Sequence, residues 1–292
     1  MRFLNGIGRL VGLGAIALAA GLFLTATGAH AQIGMATNGQ LGFQQAATPV
    51  VEDIESFHRF VLYIITAIVI LVTVLLAIVM VRFNRKSNPV PSKTSHNTLI
   101  EVLWTVLPVM ILMVIAIPSF RLLYKELIIP PAELTIKATG NQWFWSYEYP
   151  DEGDISFDAN LVPDDELNGR PRLLATDEVV VVPVDEVVRV IVTGADVIHS
   201  WAVPAFGVKI DAIPGRLNET WFKAEKLGTY YGQCSELCGQ GHAFMPIEVR
   251  VVSKEDFAAW VAKKKSASLD LPATGVKLAQ INLTSTNSGA AR

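Results

Sequence analysis

Two long runs of apolar residues in the first half of the chain constrain its fold more than any other feature. Residues 60–81 contain no charged side chain, and residues 99–120 contain only Glu101. Each run has 22 residues, which is about 33 Å as a helix and matches the hydrocarbon core of a bilayer. A core helix of a water-soluble protein would carry a polar face, and residues 60–81 have none. The runs therefore predict two transmembrane helices, at residues 58–82 and 99–121, surrounded by the lipid bilayer.

The charges between these runs predict the orientation of the hairpin. Residues 82–98 include four basic side chains and no acidic one. Basic residues in a short loop next to a span mark the cytoplasmic side. We therefore expect residues 83–98 to be a cytoplasmic loop, with both flanks of the hairpin on the outer side.

The N-terminus independently predicts export. Residues 1–31 start with basic positions, continue in an apolar stretch and end in Ala29-His30-Ala31. This is the pattern of a secretory signal peptide, with an uncleaved anchor as the alternative. Residues 32–57 then form a periplasmic segment, and the protein is expected in the bacterial inner membrane with a periplasmic C-terminal domain.

The chain changes character after the second apolar run. Residues 126–253 contain short β-branched and aromatic runs separated by Gly, Pro, Asp and Asn, which is typical of an all-β domain. No alternation of strands and helices points to a Rossmann or thioredoxin fold. A short helix is expected at residues 254–265 and a flexible tail at residues 266–292. The predicted fold class is an α+β membrane protein, a two-helix hairpin followed by an all-β domain.

Charge is unevenly distributed along the chain. The 24 basic and 27 acidic residues exclude a nucleic-acid binder. Residues 126–250 alone carry 20 acidic and 9 basic side chains, a net charge of −11. This acidic surface is either a solvated face or a docking surface for a basic partner.

A cluster of soft ligands lies near the end of the β domain. Residues 234–245 read C-S-E-L-C-G-Q-G-H-A-F-M, which places Cys234, Cys238, His242 and Met245 in one loop. His199 follows a β-like stretch upstream. Two thiolates, two imidazoles and a thioether favour copper over metals that prefer oxygen ligands. Two cysteines in one loop can bridge two copper ions, each with a terminal histidine.

Two alternatives compete with copper for the whole cluster, and a third concerns Met245 alone. A C-x3-C pair in an oxidising compartment can form a disulfide. Two cysteines and two histidines can bind zinc, with Met245 then idle. A lone methionine usually serves packing.

The chain resembles the subunit II family of haem–copper cytochrome c oxidases, of bacterial and mitochondrial type. The resemblance rests on the loop C-S-E-L-C-G-x-x-H-x-x-M and covers residues 57–252. It implies that the β domain is cupredoxin-like and holds two copper ions, the copper A centre. The implied ligands are His199, Cys234, Glu236 through its backbone carbonyl, Cys238, His242 and Met245.

The resemblance also implies a setting for this centre. The Glu236 carboxylate reaches a magnesium or manganese ion shared with subunit I, and a carboxylate suits such a hard cation. The partners are subunit I, other oxidase subunits and a basic cytochrome c. Electrons pass from cytochrome c through the copper pair to haem in subunit I of a proton-pumping oxidase, where oxygen is reduced to water.

An aromatic run supplies the implied site of electron uptake. Residues 140–149 read G-N-Q-W-F-W-S-Y-E-Y and taken alone are a core strand with alternating faces. They resemble the family's G-H-Q-W-Y-W-S-Y-E-Y, which assigns electron uptake to Trp143. Asn141 and Phe144 depart from that pattern. The candidate docking acids are Glu148, Asp158, Asp177 and Asp196.

Glu101 is the acid at the cytoplasmic end of the second span. Intramembrane acids are functional candidates by default, and the alternative is an interfacial acid within reach of water. Its context, E-V-L-W-T, resembles the mouth of a proton path into subunit I.

Three rival functions share some of these features. A quinol oxidase subunit has the same fold without the copper ligands. A copper chaperone uses a C-x3-C motif on a thioredoxin-like fold. A nitrogen-oxide reductase carries a copper A domain, but the paired spans and Glu101 favour the oxidase.

Overall fold

A computed structural model of the chain describes residues 34–153 and 155–269. The signal peptide predicted at residues 1–31 lies outside the described residues, as does most of the predicted tail. Two long helices, α1 (Pro49–Arg82) and α2 (Thr98–Leu127), precede a β domain. Both are long and apolar enough to cross a membrane, and their most apolar windows are not buried against the rest of the chain. The predicted fold class, a helical hairpin followed by a β domain, is confirmed.

Helix α1 begins nine residues before the predicted span. The Thr48 side chain accepts a hydrogen bond from the backbone N–H of Val51 at 3.3 Å and donates to the carbonyl of Phe206 at 2.9 Å. Thr48 thus caps the helix and ties it to the β domain. Because Val50 and Val51 are buried, the first turn is part of the domain core, which hydropathy alone does not reveal.

The other helix ends also differ from the sequence-based boundaries. Helix α2 continues six residues beyond position 121, where Lys125 pairs with Asp53 of α1. The C-terminal helix, α3 (Lys254–Leu269), extends into the stretch assigned to the tail. Charged helix ends carry no hydropathy signal, so the hydropathy pattern predicts spans that are shorter than the helices.

The β domain consists of two five-stranded sheets in the described part of the chain. The first has the order β3-β2-β1-β5-β8 and the second β4-β10-β9-β6-β7. Pairs β1–β5 and β4–β10 are parallel, and the remaining neighbours are antiparallel. The strands are β1 (Leu134–Asn141), β2 (Phe144–Tyr149), β3 (Ile155–Ala159), β4 (Val180–Pro183), β5 (Val187–Gly194), β6 (His199–Val203), β7 (Val208–Ala212), β8 (Asn218–Lys223), β9 (Gly228–Cys234) and β10 (Pro246–Val252).

Strand β2 shows how alternation builds the core. Trp145, Tyr147 and Tyr149 are buried, while Ser146 and Glu148 face outward. The Tyr149 hydroxyl donates to the carbonyl of Val181 at 3.0 Å and accepts from its N–H at 2.9 Å. Since Tyr149 lies in the first sheet and Val181 in the second, this hydroxyl links the sheets. Burial raises the pKa of Tyr149, so the group stays protonated.

Replacing Tyr149 by phenylalanine leaves the amide of Val181 without its partner inside the core. We expect the purified full chain to lose about 1–3 kcal/mol of unfolding free energy, because an unpartnered buried donor carries its desolvation cost. Denaturant unfolding followed by tryptophan fluorescence measures the loss. Tyr63→Phe is the matched control, since Tyr63 is 74% exposed on α1. An equal loss in both variants would contradict this role of Tyr149.

Candidate metal centre

Two neighbouring strands of the second sheet bring the soft ligands together. His199 is the first residue of β6, and Cys234 is the last residue of β9. These strands pair with Trp201 opposite Cys234. The loop from β9 to β10 then carries Cys238, and a single 3-10 turn (His242–Phe244) leads into Met245 and β10.

The two cysteine sulfurs lie side by side without a bond. Their Sγ atoms are 3.8 Å apart, whereas a disulfide requires about 2.05 Å. Both cysteines are free and buried. The Sγ atoms of Cys234 and Cys238 and a ring nitrogen of His199 all lie within 4.8 Å of one another. The pair is therefore arranged as two ligands of a metal site and not as a disulfide.

Each sulfur has further donors of its own. His199 Nδ1 lies 3.9 Å from Cys234 Sγ, and the carbonyl of Glu236 lies 3.3 Å from the same sulfur. His242 Nδ1 and Met245 Sδ each lie 3.6 Å from Cys238 Sγ. The six donors thus divide into two sets of three, one around each cysteine.

The two thiols ionise very differently. Burial opposes ionisation of Cys234, but hydrogen bonds with His199 and with the backbone at Glu236 and Ser200 outweigh it and lower the pKa to about 6. Burial and the negative charge of Cys234 raise the pKa of Cys238. Two thiolates at this separation repel each other, so a bound cation is needed to hold both in the ionised form.

Asp196 fixes the orientation of the His199 ring. Its carboxylate accepts from His199 Nε2 at 2.9 Å and from the backbone N–H groups of Gln142 at 2.8 Å and Val197 at 2.6 Å. Burial opposes ionisation of Asp196, but these hydrogen bonds lower its pKa. With Nε2 engaged, Nδ1 is the nitrogen that faces Cys234. Such carboxylate–histidine pairs are common around protein metals.

The carbonyl of Cys238 connects the loop to the aromatic run. Trp143 donates its indole N–H to this carbonyl at 3.2 Å, and the Gln142 side-chain amide donates at 2.8 Å. Gly241 lies directly against the indole, because a Cβ atom there would be 2.3 Å from the Trp143 ring. Trp143 is therefore in van der Waals and hydrogen-bond contact with the ligand loop.

Trp145 contacts the ligand set from the core side. Its indole N–H donates to the carbonyl of Met245 at 3.2 Å, and its ring centroid is 6.0 Å from that of His199. Gly140 also packs directly against the His199 ring, because a Cβ atom there would lie 2.8 Å from that ring. Strands β1 and β2 of the first sheet thus hold ligands that the second sheet supplies.

This donor set fits two soft ions better than one. Tetrahedral zinc takes four ligands, whereas six donors converge here, including a thioether suited to copper. Each cysteine is accompanied by its own imidazole, as two metal ions bridged by two thiolates require. The residues present therefore fit a pair of copper ions.

The candidate docking acids lie apart from the ligands, except for Asp196. Glu148 pairs with Lys137 at 2.7 Å, and Asp158 accepts from the hydroxyl of Ser146 at 2.7 Å. Asp177 accepts from Asn160. Glu148 and Asp158 line one open groove of about 530 Å³, whereas the carboxylate of Asp196 faces His199.

Glu101 has a structural task at the start of α2. Its carboxylate accepts from the backbone N–H of Asn97 at 3.1 Å, while the Asn97 side chain accepts from the N–H of Ile100 at 3.2 Å. The two residues thus cap the helix reciprocally.

Sequence reasoning missed three contributors to this site. Gln142 and Trp145 were part of the aromatic run but received no role, and Asp196 was assigned only to docking. The contacts of Gln142 with Cys238 and of Trp145 with Met245 join positions about 100 residues apart, which no local pattern indicates. The spacing of Asp196 and His199, three residues apart, is the one local signal for the pair.

Comparison with known proteins matches the helical hairpin and the β domain to the same protein family. The model for "Cytochrome C oxidase subunit II, periplasmic domain" matches residues 134–252, and that for the transmembrane domain of the same subunit matches residues 36–122. A "Probable cytochrome c oxidase subunit 2" from Rickettsia bellii is 54% identical over 230 residues, covering 78% of this chain and 86% of the relative.

Two further matches extend this comparison. The "Cytochrome c oxidase subunit 2" of Cereibacter sphaeroides is 46% identical over 278 residues, covering 87% of this chain and 91% of the relative. The periplasmic domain of cytochrome oxidase subunit II of Bradyrhizobium japonicum is a solved structure with 62% identity and a TM-score of 0.46. It covers 48% of this chain and 99% of that domain.

Gly140→Ala tests the close approach to His199. The added methyl group displaces the imidazole, and we expect copper affinity to fall at least about 10-fold, as for other residues that orient metal ligands. Copper bound per purified full chain, titrated against a competing chelator, measures this. Gly42→Ala is the control, since nothing lies within 4 Å of a Cβ atom there. Unchanged affinity in Gly140→Ala would show that the ring position is not limiting.

Proposed function

The chain belongs to the cytochrome c oxidase subunit II family, and from this premise we propose that it is the electron-accepting subunit of a proton-pumping oxidase. It takes single electrons from cytochrome c and delivers them to haem in subunit I, where oxygen is reduced to water. The observation that carries this proposal is the convergence of four further donors on two unbonded cysteine sulfurs that lie 3.8 Å apart.

The proposed cofactor is a pair of copper ions. The residues that hold it are His199, Cys234, Glu236 (through its carbonyl), Cys238, His242 and Met245. A copper pair supplies a one-electron redox couple when bound. The protein's part is to exclude water and fix the ligands: the side chains of Cys234, Cys238, His199 and Met245 are all buried.

Trp143 is proposed as the point of electron uptake. Its ring is half-buried and contacts Gly241, and its N–H donates to the carbonyl of Cys238. An electron that reaches the indole is therefore one hydrogen bond from the backbone of a proposed ligand. Gln142 donates to the same carbonyl and keeps the loop in contact with the tryptophan.

The acidic surface is proposed to dock a basic cytochrome c. Glu148, Asp158, Asp177 and Asp196 are the candidate contacts, in the region with the highest excess of acidic residues. Complementary charges of this kind raise the association rate and make it depend on ionic strength. The three hydrogen bonds to Asp196 give this residue a second role in orienting His199.

The contact with subunit I is proposed to lie at the tip of the ligand loop. Leu237 is 78% exposed there, and Glu236 beside it is also exposed. The carbonyl of Glu236 faces Cys234, so its carboxylate is the group available for a magnesium or manganese ion shared with subunit I.

The hairpin makes this a two-pass membrane protein. We propose that it lies in the bacterial inner membrane with the β domain in the periplasm, and that the predicted signal peptide is cleaved. Glu101, at the opposite end of the hairpin from the β domain, is proposed as the mouth of a proton path. Its capping bond with Asn97 holds the carboxylate at the helix start, within reach of the cytoplasm.

Trp143→Phe tests the proposed electron uptake. Removal of the indole breaks the contact with the Cys238 carbonyl, and we expect kcat for cytochrome c oxidation to fall by about 100-fold, the scale of a misplaced reaction partner. KM and copper content should stay unchanged, because the docking acids and the ligands are intact. Steady-state oxidation of reduced cytochrome c by the purified oxidase complex gives both kinetic constants.

Trp260→Phe is the matched control for this experiment. Trp260 lies in helix α3 and packs on Tyr149 of β2 and Phe157 of β3. Among the described interactions it has no contact with the ligand loop. We expect it to keep the parental kcat. A fully copper-loaded Trp143→Phe enzyme that turns over at the parental rate would contradict uptake at Trp143.

A further inference from the structure

A groove of about 540 Å³ lies between the two membrane helices, at the end of the hairpin nearest the β domain. Its volume is within the range of pockets that hold small ligands. Each helix lines it with side chains that are three or four positions apart, and such positions share one helix face. The groove is therefore formed by two helix faces that are turned toward each other.

The groove is charged at one end and apolar at the other. Its three charged lining residues lie at the end nearest the β domain: Asp53, Arg121 and Lys125. Toward the interior of the membrane the lining is apolar and includes Phe60, Val114 and Ile117. Because Arg121 directly follows the apolar run 99–120, it lies at the edge of the hydrocarbon core, where the lipid headgroups begin.

One basic side chain of the groove has no acidic partner. Lys125 pairs with Asp53 across the two helices, so these two charges compensate each other. In the described part of the chain, no acidic side chain pairs with Arg121. Two basic residues and one acidic residue give the groove a net charge of +1. Its lining is therefore complementary to an anion.

The position of Arg121 is also unusual for a membrane hairpin. Basic residues concentrate on the cytoplasmic side of membrane proteins, which in the proposed orientation is the side of residues 83–98. Arg59 and Arg121 lie at the opposite end of the hairpin, and neither is paired with an acid among the described residues. Only Arg121 lines the groove, where a bound anion would compensate its charge.

A phospholipid matches the groove in chemistry and in length. A guanidinium group binds phosphate through paired, charge-assisted hydrogen bonds. Arg121 and Val114 are seven residues apart, which is about 10 Å along a helix. One leaflet contributes about 15 Å of the hydrocarbon core. An acyl chain whose phosphate lies at Arg121 therefore passes Ile117 and Val114 within the same leaflet.

We propose that this groove binds one anionic phospholipid of the leaflet nearest the β domain. The phosphate lies on Arg121, and one acyl chain packs against Ile117 and Val114. The net positive charge of the groove favours a lipid with a net negative charge, such as a phosphatidylglycerol. The bound lipid fills the gap between the helices beside the Asp53–Lys125 pair. The inference goes beyond electron transfer and does not depend on the metal centre.

Photolabelling of the purified oxidase complex tests this site. The probe is a phosphatidylglycerol with a diazirine in one acyl chain, used in phosphatidylcholine nanodiscs, and peptide mass spectrometry locates the labels. We expect labels in residues 57–60 and 114–122. Arg121→Gln should lower their yield by about 5–10-fold, because it removes charge-assisted hydrogen bonds to the phosphate.

Arg59→Gln is the control of equal charge. Arg59 is exposed at the same end of the hairpin but does not line the groove, so we expect the labelling yield to stay at the parental value. An equal loss in Arg59→Gln and Arg121→Gln would reduce the effect to the general charge of the hairpin and would overturn the proposal.

Ile117→Trp tests the apolar half of the groove with Arg121 intact. Ile117 is 60% exposed, so the larger ring enters the groove without disturbing a core, and we expect it to displace the acyl chain and lower the labelling. Leu112→Trp is the control, because Leu112 is 65% exposed and does not line the groove. Far-ultraviolet circular dichroism and copper content verify that all variants are folded.

Three further results would contradict a lipid site. The labels in residues 114–122 would be absent if another oxidase subunit filled the groove. Their yield would be unchanged in Arg121→Gln if lipids only touched the helix surface. An otherwise identical phosphatidylcholine probe would label these residues equally well if the charge of the groove had no effect on the choice of lipid.

Discussion

The site depends on two cysteine sulfurs that are held close together without forming a bond. At 3.8 Å the sulfurs are too far apart for a disulfide. They are also so close that two thiolates would repel each other, since two like charges about 4 Å apart repel by about 4 kcal/mol at an effective dielectric of 20. The arrangement is relieved by positive charge between the sulfurs. This single constraint explains why the remaining donors converge on the pair.

The β sandwich supplies the rigidity that this constraint requires. Cys234 is fixed by the end of strand β9 and His199 by the start of β6, while the loop that carries Cys238 is held by hydrogen bonds from Gln142 and Trp143 in the other sheet. Trp145 and Asp196 restrain Met245 and His199 in the same way. Ligands from one sheet are thus oriented by residues that the opposite sheet and its loops contribute.

The same sandwich connects the site to the membrane hairpin. Thr48 and the first turn of α1 are buried in the β domain, and the extended segment before them also bonds to it, through Gly34 to Tyr231 and through Ala47 to Ala205. The domain is therefore fixed to the outer end of the helix and does not hang from a linker. This placement fits the proposed contact of the ligand loop with subunit I.

Sequence patterns predicted the parts of this molecule that are local. The uncharged residues 60–81 indicated a span, and the spacing of Cys234, Cys238, His242 and Met245 within one loop indicated the metal site, because a loop of this length brings its own ligands together. The start of α1 at Pro49 could not be predicted, since its first turn is stabilised by contacts with Phe206. The contacts of Trp145 with Met245 and of Gln142 with Cys238 also depend on how the sheets stack.

The metal content and electron paramagnetic resonance spectrum of the purified full chain test the central claim most directly. We predict two copper ions per chain and an unpaired electron that couples equally to both copper nuclei, with both features lost in His199→Asn. A single metal ion per chain, a spectrum of one isolated copper, or a disulfide between Cys234 and Cys238 in the copper-treated protein would contradict it.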